Sequence, residues 1–319
     1  MKDFQETIPV FFAVDDGYAP FLGVALRSML AHADDRFFYR IHVLTTGLTQ
    51  ENRDKLQSEM TENAQISFDD ISRAISQISA GLHMRDYYSA ATYYRIFIGS
   101  LYPMYERALY FDADLVFCDD IAKMYHTDIG GHVIGAVADD VLRLFPVFGD
   151  YAEAVLSVQR QRYFNAGILL MDLARYRATH MEERFLSLLQ QRKFTVAQDQ
   201  DYLNVLAKDD VYYFDGAWNR SAAPENAALP SCILHYKMNW KPWHYDGVAF
   251  EKHFWQYADA CAFAYDIRAI KRAYSLRDKL RDRIAADRLV ATAKAEIEEA
   301  YRTAMPHIYT PKTLQAAEA

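Results

Sequence analysis

Leu109-Tyr110-Phe111-Asp112-Ala113-Asp114-Leu115-Val116-Phe117 reads as a buried strand, apolar on both faces and broken at its middle by two carboxylates. A strand sets residues i and i+2 on the same side. Asp112 and Asp114 are therefore expected to point one way, into a cleft at the strand's end. Two ionised carboxylates so close in an apolar setting repel, and a divalent cation is the simplest counter-charge. The bland alternative is a loop with two solvated aspartates, and the triplet alone does not decide between them.

Working outward, the chain alternates strands and helices. Ile8 to Val14 is an apolar run ending in Asp15-Asp16-Gly17-Tyr18, expected as a central parallel strand. Phe21 to Leu30 has helical spacing, and Tyr39 to Leu44 is a second strand. Thr49 caps a helix beginning near Glu51, and Gln65 to Phe68 is a short third strand. Ser89 to Leu101 is expected as a helix leading to the double-aspartate strand. His132 to Ala138 is a further strand ending in Asp139-Asp140. Phe164 to Leu173 is a strand with Asn165 and Gly167 near its entrance, and Met181 to Lys193 a long helix. Ala197 to Asn204 starts a polar helix that Asp199 or Asp201 could cap. Val211 to Asp215 and Cys232 to Tyr236 are the last strands, linked by the loop at 222–230. The alternation predicts an α/β fold around a mainly parallel sheet. Three strands end in acidic residues, and open α/β sheets bind ligands beyond their strands' carboxyl ends. Phe250 to Ala304 is expected to be helical throughout, with Arg268, Lys271, Arg272, Arg277, Lys279, Arg281 and Arg283 crowded together.

Composition narrows the function classes. The 319 residues carry a formal net charge of −8, which argues against a broad electrostatic grip on nucleic acid. Aromatics make up 14%, with 23 Tyr and 19 Phe, which suits sugar stacking as well as core filling. Cys118, Cys232 and Cys261 have neither disulfide-framework nor zinc-knuckle spacing, and a reducing compartment fits them. MKDFQETIPVFFAV has no basic region followed by an apolar run, and no apolar stretch is long enough to span a bilayer. The expected location is cytoplasmic, at most peripheral on the inner face of the cytoplasmic membrane.

Asp112 and Asp114 offer hard oxygen ligands, and His235, at the end of a late strand, offers an imidazole. That donor set suits Mn²⁺, and Mg²⁺ less well, with open positions for phosphate oxygens. Lys241, six residues on, can reach a phosphate bound at the same metal. The alternatives are a hydrogen-bonded structural histidine and a solvated lysine.

The chain also resembles a known family, the family 8 retaining glycosyltransferases, in particular the bacterial enzymes that add galactose or glucose to lipopolysaccharide core. The matching segments are FFAVDDGYAPFLGVALRSML (11–30), ATYYRI (91–96), ALYFDADLVF (108–117), YFNAGILLMDL (163–173), DQDYLN (199–204) and LHYKMNWKPW (234–243). They fall in the family's order and span roughly residues 8–245. The resemblance implies the GT-A nucleotide-diphospho-sugar transferase fold over residues 1–245, with a helical C-terminal extension over 246–319. It also implies Mn²⁺-dependent transfer from a UDP-hexose to a glycan or glycolipid acceptor, with retention of configuration. Asp112, Asp114 and His235 would be the metal ligands. Asp15 would hydrogen-bond the uracil and Tyr18 would stack near it. Arg95 would contact the donor sugar and its phosphate side, and Lys241 the leaving diphosphate. Asn165, Asp199 and Gln200 would line the donor sugar, Gln200 nearest the anomeric carbon. Asp139 or Asp140 would lie beside the sugar or acceptor.

Two positions depart from the family pattern: Gly17 stands where many relatives have Asn, and Met238-Asn239-Trp240 replaces a glycine-bearing loop. As a neutral amide Gln200 is a poor nucleophile. Asp199 is chemically better, and same-face attack guided by the departing phosphate is favoured over a covalent adduct. The basic C-terminal helices are weighed as a membrane-surface contact against an ordinary solvated tail. The rival functions are a metal-dependent nucleotide-sugar hydrolase, a degenerate carbohydrate-binding protein, and self-glucosylation on a tyrosine.

Overall fold

A computed structural model describes residues 3–76 and 90–304. Among them, the larger sheet contains β1 (Glu6–Ala13), β2 (Phe37–Thr45), β3 (Ala64–Asp70), β4 (Arg107–Phe111), β6 (Ile134–Ala138), β7 (Phe164–Asp172) and β8 (Val211–Tyr213). A smaller sheet contains β5 (Leu115–Phe117), β9 (Arg220–Ser221) and β10 (Ile233–His235). The first helices are α1 (Ala19–Ala31), α2 (Gln50–Gln57), α3 (Ser72–Ser76), α4 (Ile98–Leu101), α5 (Ala122–Tyr125) and α6 (Val141–Leu144). Then come α7 (Pro146–Ala154), α8 (Leu173–Ala178), α9 (Met181–Gln191), α10 (Asp199–Ala207), α11 (Glu251–Ala258), α12 (Ala264–Ala273) and α13 (Leu276–Ala304).

The large sheet has the order β3-β2-β1-β4-β7-β6-β8. β1 pairs in parallel with β2 and β4, β2 with β3, and β6 with β8, while β7 runs against both β4 and β6. The mainly parallel α/β sheet is therefore as expected, with one reversed strand. That reversal brings the start of β7, with Asn165, to the carboxyl ends of its neighbours. Both faces are buried, as continuous apolar strands require. Val10, Phe12, Leu109 and Phe111 face one core with α1, and Phe11, Ala108 and Tyr110 face the other with α7 and α9.

The stretch 109–117, expected as one strand, is two. β4 ends at Phe111 in the large sheet, and β5 pairs antiparallel with β10 in the small one. Asp112 N still donates to Gly167 O (2.8 Å), whereas Asp114 O accepts from Tyr236 N (3.0 Å). The backbone changes partners between the two carboxylates, so neither sheet uses them for packing. Their backbone stays fixed by hydrogen bonds on either side.

Two helix expectations change in detail. Ser89 lies outside the described residues, and 90–97 is 3₁₀, running into α4. With three residues per turn, Arg95 lies over Thr92, and its Nε donates to the Thr92 carbonyl (2.8 Å). The stretch 250–304, expected to be helical throughout, is three helices separated by short breaks. Phe250, at φ +60°, delays the start of α11 to Glu251. Ser275 and Asp278 exchange hydrogen bonds, Ser275 N to Asp278 Oδ2 (3.0 Å) and Asp278 N to Ser275 Oγ (3.3 Å). This capping box starts α13 afresh. Residues 305–319 of the expected extension lie outside the described residues.

Candidate functional site

The antiparallel register opposes His235 to Leu115, which brings the imidazole beside Asp114. One ligand atom from each of Asp112, Asp114 and His235 lies within 4.8 Å of the others. Gly167 is the floor beneath them. A Cβ there would stand 2.5 Å from Asp112 Oδ2 and 2.6 Å from His235 Cε1. Two carboxylates and an imidazole converging over a glycine that leaves room for them fit a divalent cation.

Each ligand is held from behind. His235 Nδ1 meets Asn219 Oδ1 at 3.0 Å, leaving Nε2 toward Asp114 (3.2 Å). Asp112 Oδ1 accepts from Tyr110 OH (3.0 Å) and pairs with Arg95 at 3.0 Å. Asp114 Oδ2 pairs with Lys241 Nζ. Burial alone would raise the Asp114 carboxyl. The Lys241 ammonium and His235 outweigh it and hold that carboxyl well below the usual carboxylate range.

Arg95 is buried and lies 4.3 Å from the centre of the Tyr110 ring, donating to the Ala166 carbonyl. Burial disfavours its charge, but Asp112 and Asp199 more than compensate and raise its pKa. Asp199 Oδ2 lies 3.0 Å from Arg95 Nε, whose hydrogen goes to Thr92 O. That oxygen has a neighbouring charge and no hydrogen bond. Burial pushes the Asp199 carboxyl up to about 7 against the pull of Arg95, with Asp112 adding to the rise.

Beside this lies an amide network. Gln200 Oε1 accepts from Asn165 Nδ2 and Ala166 N (both 3.0 Å), and its Nε2 donates to Asp139 (3.2 Å) and Tyr163 OH (3.1 Å). Asn165 Oδ1 accepts from Asn219 Nδ2 (2.9 Å), which ties this amide network to the histidine. One cleft is lined by these groups, by Tyr18 and Lys241, and by Ala285, Ala286 and Leu289 of α13.

The sequence profile described as "Glycosyl transferase family 8" matches residues 9–247. The chain belongs to that family. Lipopolysaccharide 1,2-glucosyltransferase of Escherichia coli (strain K12) is 25% identical over 258 residues, 75% of this chain and 74% of the relative. Galactosyltransferase LgtC, solved with donor and acceptor sugar analogs, superposes with a TM-score of 0.68 at 26% identity. The match covers 80% of this chain and 96% of LgtC. The bifunctional glycosyltransferase WbbM superposes at 0.74 and 22% identity, covering 86% of this chain. The chain spans about half (53%) of the solved WbbM chain. The fold is the GT-A fold of such enzymes.

In this family 8 chain the cleft gathers Tyr18, Arg95, Asp112, Asp114, Asn165, Asp199, Gln200, His235 and Lys241. Asp15 stands apart at the end of β1, its Oδ1 accepting from Tyr18 N (3.1 Å) at the start of α1. Asp201 is a support: it receives Tyr151 OH (3.0 Å), Tyr163 OH (2.7 Å) and Ala197 N (2.9 Å). Asp139 reaches the cleft, while Asp140 accepts from Ser221 Oγ (2.5 Å) and Asn226 (2.9 Å). Lys237, missed by the sequence reading, is buried between them, 3.0 Å from Asp139 and 2.9 Å from Asp140. Burial would raise Asp140, but Lys237 and the hydroxyl and amide donors bring it down to about 2. Its signal was available, because Lys237 is two residues past His235 in an extended run. Asn219 had none: its partners are 16 and 54 residues away.

Proposed function

We propose that this chain transfers galactose or glucose from a UDP-sugar to a hydroxyl of a glycan acceptor, with retention of configuration. The acceptor class is lipopolysaccharide core or a related surface glycan, and the ion is Mn²⁺, or Mg²⁺ in its place. The observation that carries this is the Asp112, Asp114 and His235 convergence over Gly167, with Lys241 against Asp114. A bound divalent ion would supply Lewis-acid charge to the donor's phosphates.

The chain's own groups divide the remaining work. Lys241 brings a second cation to the diphosphate as its charge grows. Arg95, locked by Asp112 and Asp199, presents a fixed guanidinium on the sugar side. Asn165, Asp139 and Gln200 form a preset dipole network for the sugar, and Gln200, bonded at both amide atoms, cannot turn away from it. Asp199, buried against Arg95 with its carboxyl raised, is poorly placed as a nucleophile, which favours same-face attack over a covalent adduct; a glycosyl-Asp199 adduct trapped by mass spectrometry would contradict this. Tyr18 and Asp15 are assigned to the uracil. Residues 1–245 form the catalytic part and 246–319 its extension.

The test is release of UDP by the purified protein with Mn²⁺ and a panel of UDP- and GDP-sugars, beside Asp114→Asn. Slow release from one UDP-hexose, lost with EDTA and in the variant and accelerated by acceptor, is the expected result. Release that no glycan acceptor accelerates would point to a hydrolase, and no donor binding at all to a carbohydrate-binding protein.

We also assign the cytoplasmic face of the membrane as the working location. Among the described residues no helix is long and apolar enough to cross a bilayer. Leu276, Leu280 and Ile284, spaced four apart on α13, are 84%, 57% and 49% exposed beside Arg277 and Arg281. That stripe suits shallow insertion into an anionic surface. Co-sedimentation with phosphatidylglycerol vesicles should fall several-fold in Leu280→Glu; equal sedimentation would remove the assignment.

A further inference from the structure

The cleft has two ends of opposite chemistry. One carries the carboxylates, His235, Arg95 and Lys241. The other is walled by Val141, Leu142 and Phe148 from α6 and α7, and by Ala285, Ala286 and Leu289 from α13. The polar groups near this wall are spent inside the protein. Tyr151 and Tyr163 give their hydroxyls to Asp201, Lys237 gives its ammonium to Asp139 and Asp140, and Asn239 Nδ2 reaches Asp282 O (3.5 Å). A bare sugar laid against such a wall would lose water at every hydroxyl and gain few partners. An alkyl or aryl group would shed water from apolar surface there.

We propose that this end is an acceptor subsite for an apolar aglycone: the acceptor presents its hydroxyl to the donor sugar while an attached alkyl or aryl group lies between α7 and α13. The proposal rests on the transferase reading and adds the class of acceptor to it. Family membership does not imply the wall, because the match to the family ends at residue 247 and half the wall comes from α13. The subsite is continuous with the sugar-binding network. Gln200 and Asp139, which hydrogen-bond each other, line the same cleft as Leu142 and Ala286.

The test is binding of methyl, phenyl and octyl β-glucosides and β-galactosides, the octyl compounds below their micelle-forming concentration. Binding is followed by saturation-transfer NMR on the full chain with Mn²⁺, with and without UDP. Phenyl or octyl glycosides should bind about tenfold tighter than the methyl glycosides, with saturation strongest on aglycone protons. Phenyl above octyl would indicate an aryl acceptor, and the reverse an alkyl or lipid-linked one. Ala286→Asp, which places a carboxylate on the wall, and Ala286→Leu, which fills it without charge, should both cut that preference to near unity. UDP affinity and melting temperature, read in parallel, report whether each variant is folded. Equal binding of methyl and octyl glycosides, or a preference that survives both substitutions in folded protein, would overturn the subsite. Glycoside binding with that preference but no UDP binding would keep the subsite and overturn the transferase reading.

Discussion

At the carboxylate end of the cleft, the converging side chains stand on or beside sheet hydrogen bonds: Asp112 N to Gly167 O, Asp114 O from Tyr236 N, and His235 opposite Leu115. At the other end, α13 has no strand to hold it. It packs on α7 through Leu289 and Ala293 and is tied to the loop after β10 by bonds that each involve a side chain, chiefly at Asp282. Backbone register fixes atoms to fractions of an ångström, and a displaced ligand has nowhere to go. A helix docked by side chains can shift and repack. The carboxylate end should therefore fail abruptly when disturbed, and the apolar end by degrees.

Gly167→Ala is the harshest way to break that contrast. The new methyl would meet Asp112 Oδ2 at 2.5 Å and His235 Cε1 at 2.6 Å, and both residues are held from behind. We expect Mn²⁺ affinity to fall about 100-fold, UDP release to be lost, and stability to drop about 1–3 kcal/mol. Mn²⁺ titration and urea unfolding would measure these; an affinity within about twofold of wild type would mean the strand ends are not rigid.

Asp199 gives a second, smaller test. Its carboxyl titrates near 7 in the folded chain, raised by burial, against about 4 in an unfolded one. The native state therefore holds this proton more tightly. The resulting stabilisation is complete below pH 4 and is lost as pH rises through about 7. Wild type should lose stability relative to Asp199→Asn between pH 4 and pH 7.5 in metal-free urea unfolding. Parallel profiles would mean that Arg95 keeps Asp199 ionised throughout.

The contrast also explains what the sequence made legible. Strand alternation and acidic strand ends gave the sheet and its functional edge, because residue spacing along a strand maps directly onto space. The nearness of Asp112 and Asp114 followed from their place in the chain even though they lie between two strands rather than on one, and that of His235 from its place at a strand end. The break between β4 and β5 was hidden, since Leu115 to Phe117 is as apolar as Leu109 to Phe111 and only the pairing partner differs. Lys237 was passed over although it stands two residues past His235, because the carboxylates that give it a role lie nearly 100 residues away in the chain. The wall contributed by α13 was invisible for a related reason: Ala285, Ala286 and Leu289 are ordinary helix residues, and only docking makes them part of a site.

The subtlest test joins the two ends. Asp282 Oδ2 accepts from Tyr245 OH (2.7 Å) and Tyr274 OH (2.5 Å), and Tyr274 stacks on His244 at 3.7 Å. His244 N and Tyr245 N both donate to Lys241 O (2.9 Å), so the residues clasped by α13 are those that hold the backbone of Lys241. Lys271 of α12 adds to the clasp through Pro242 O (2.8 Å). If α13 positions Lys241, Asp282→Ala should lower kcat for UDP release roughly three- to tenfold, about 0.7–1.4 kcal/mol, with little change in KM. Asp282→Asn, which keeps an acceptor oxygen, should recover part of that loss. In a Lys241→Ala background the Asp282→Ala effect should vanish, because the group it positions is gone. Additive losses would instead mean that Asp282 only steadies the helix, leaving the carboxylate end independent of the extension packed beside it.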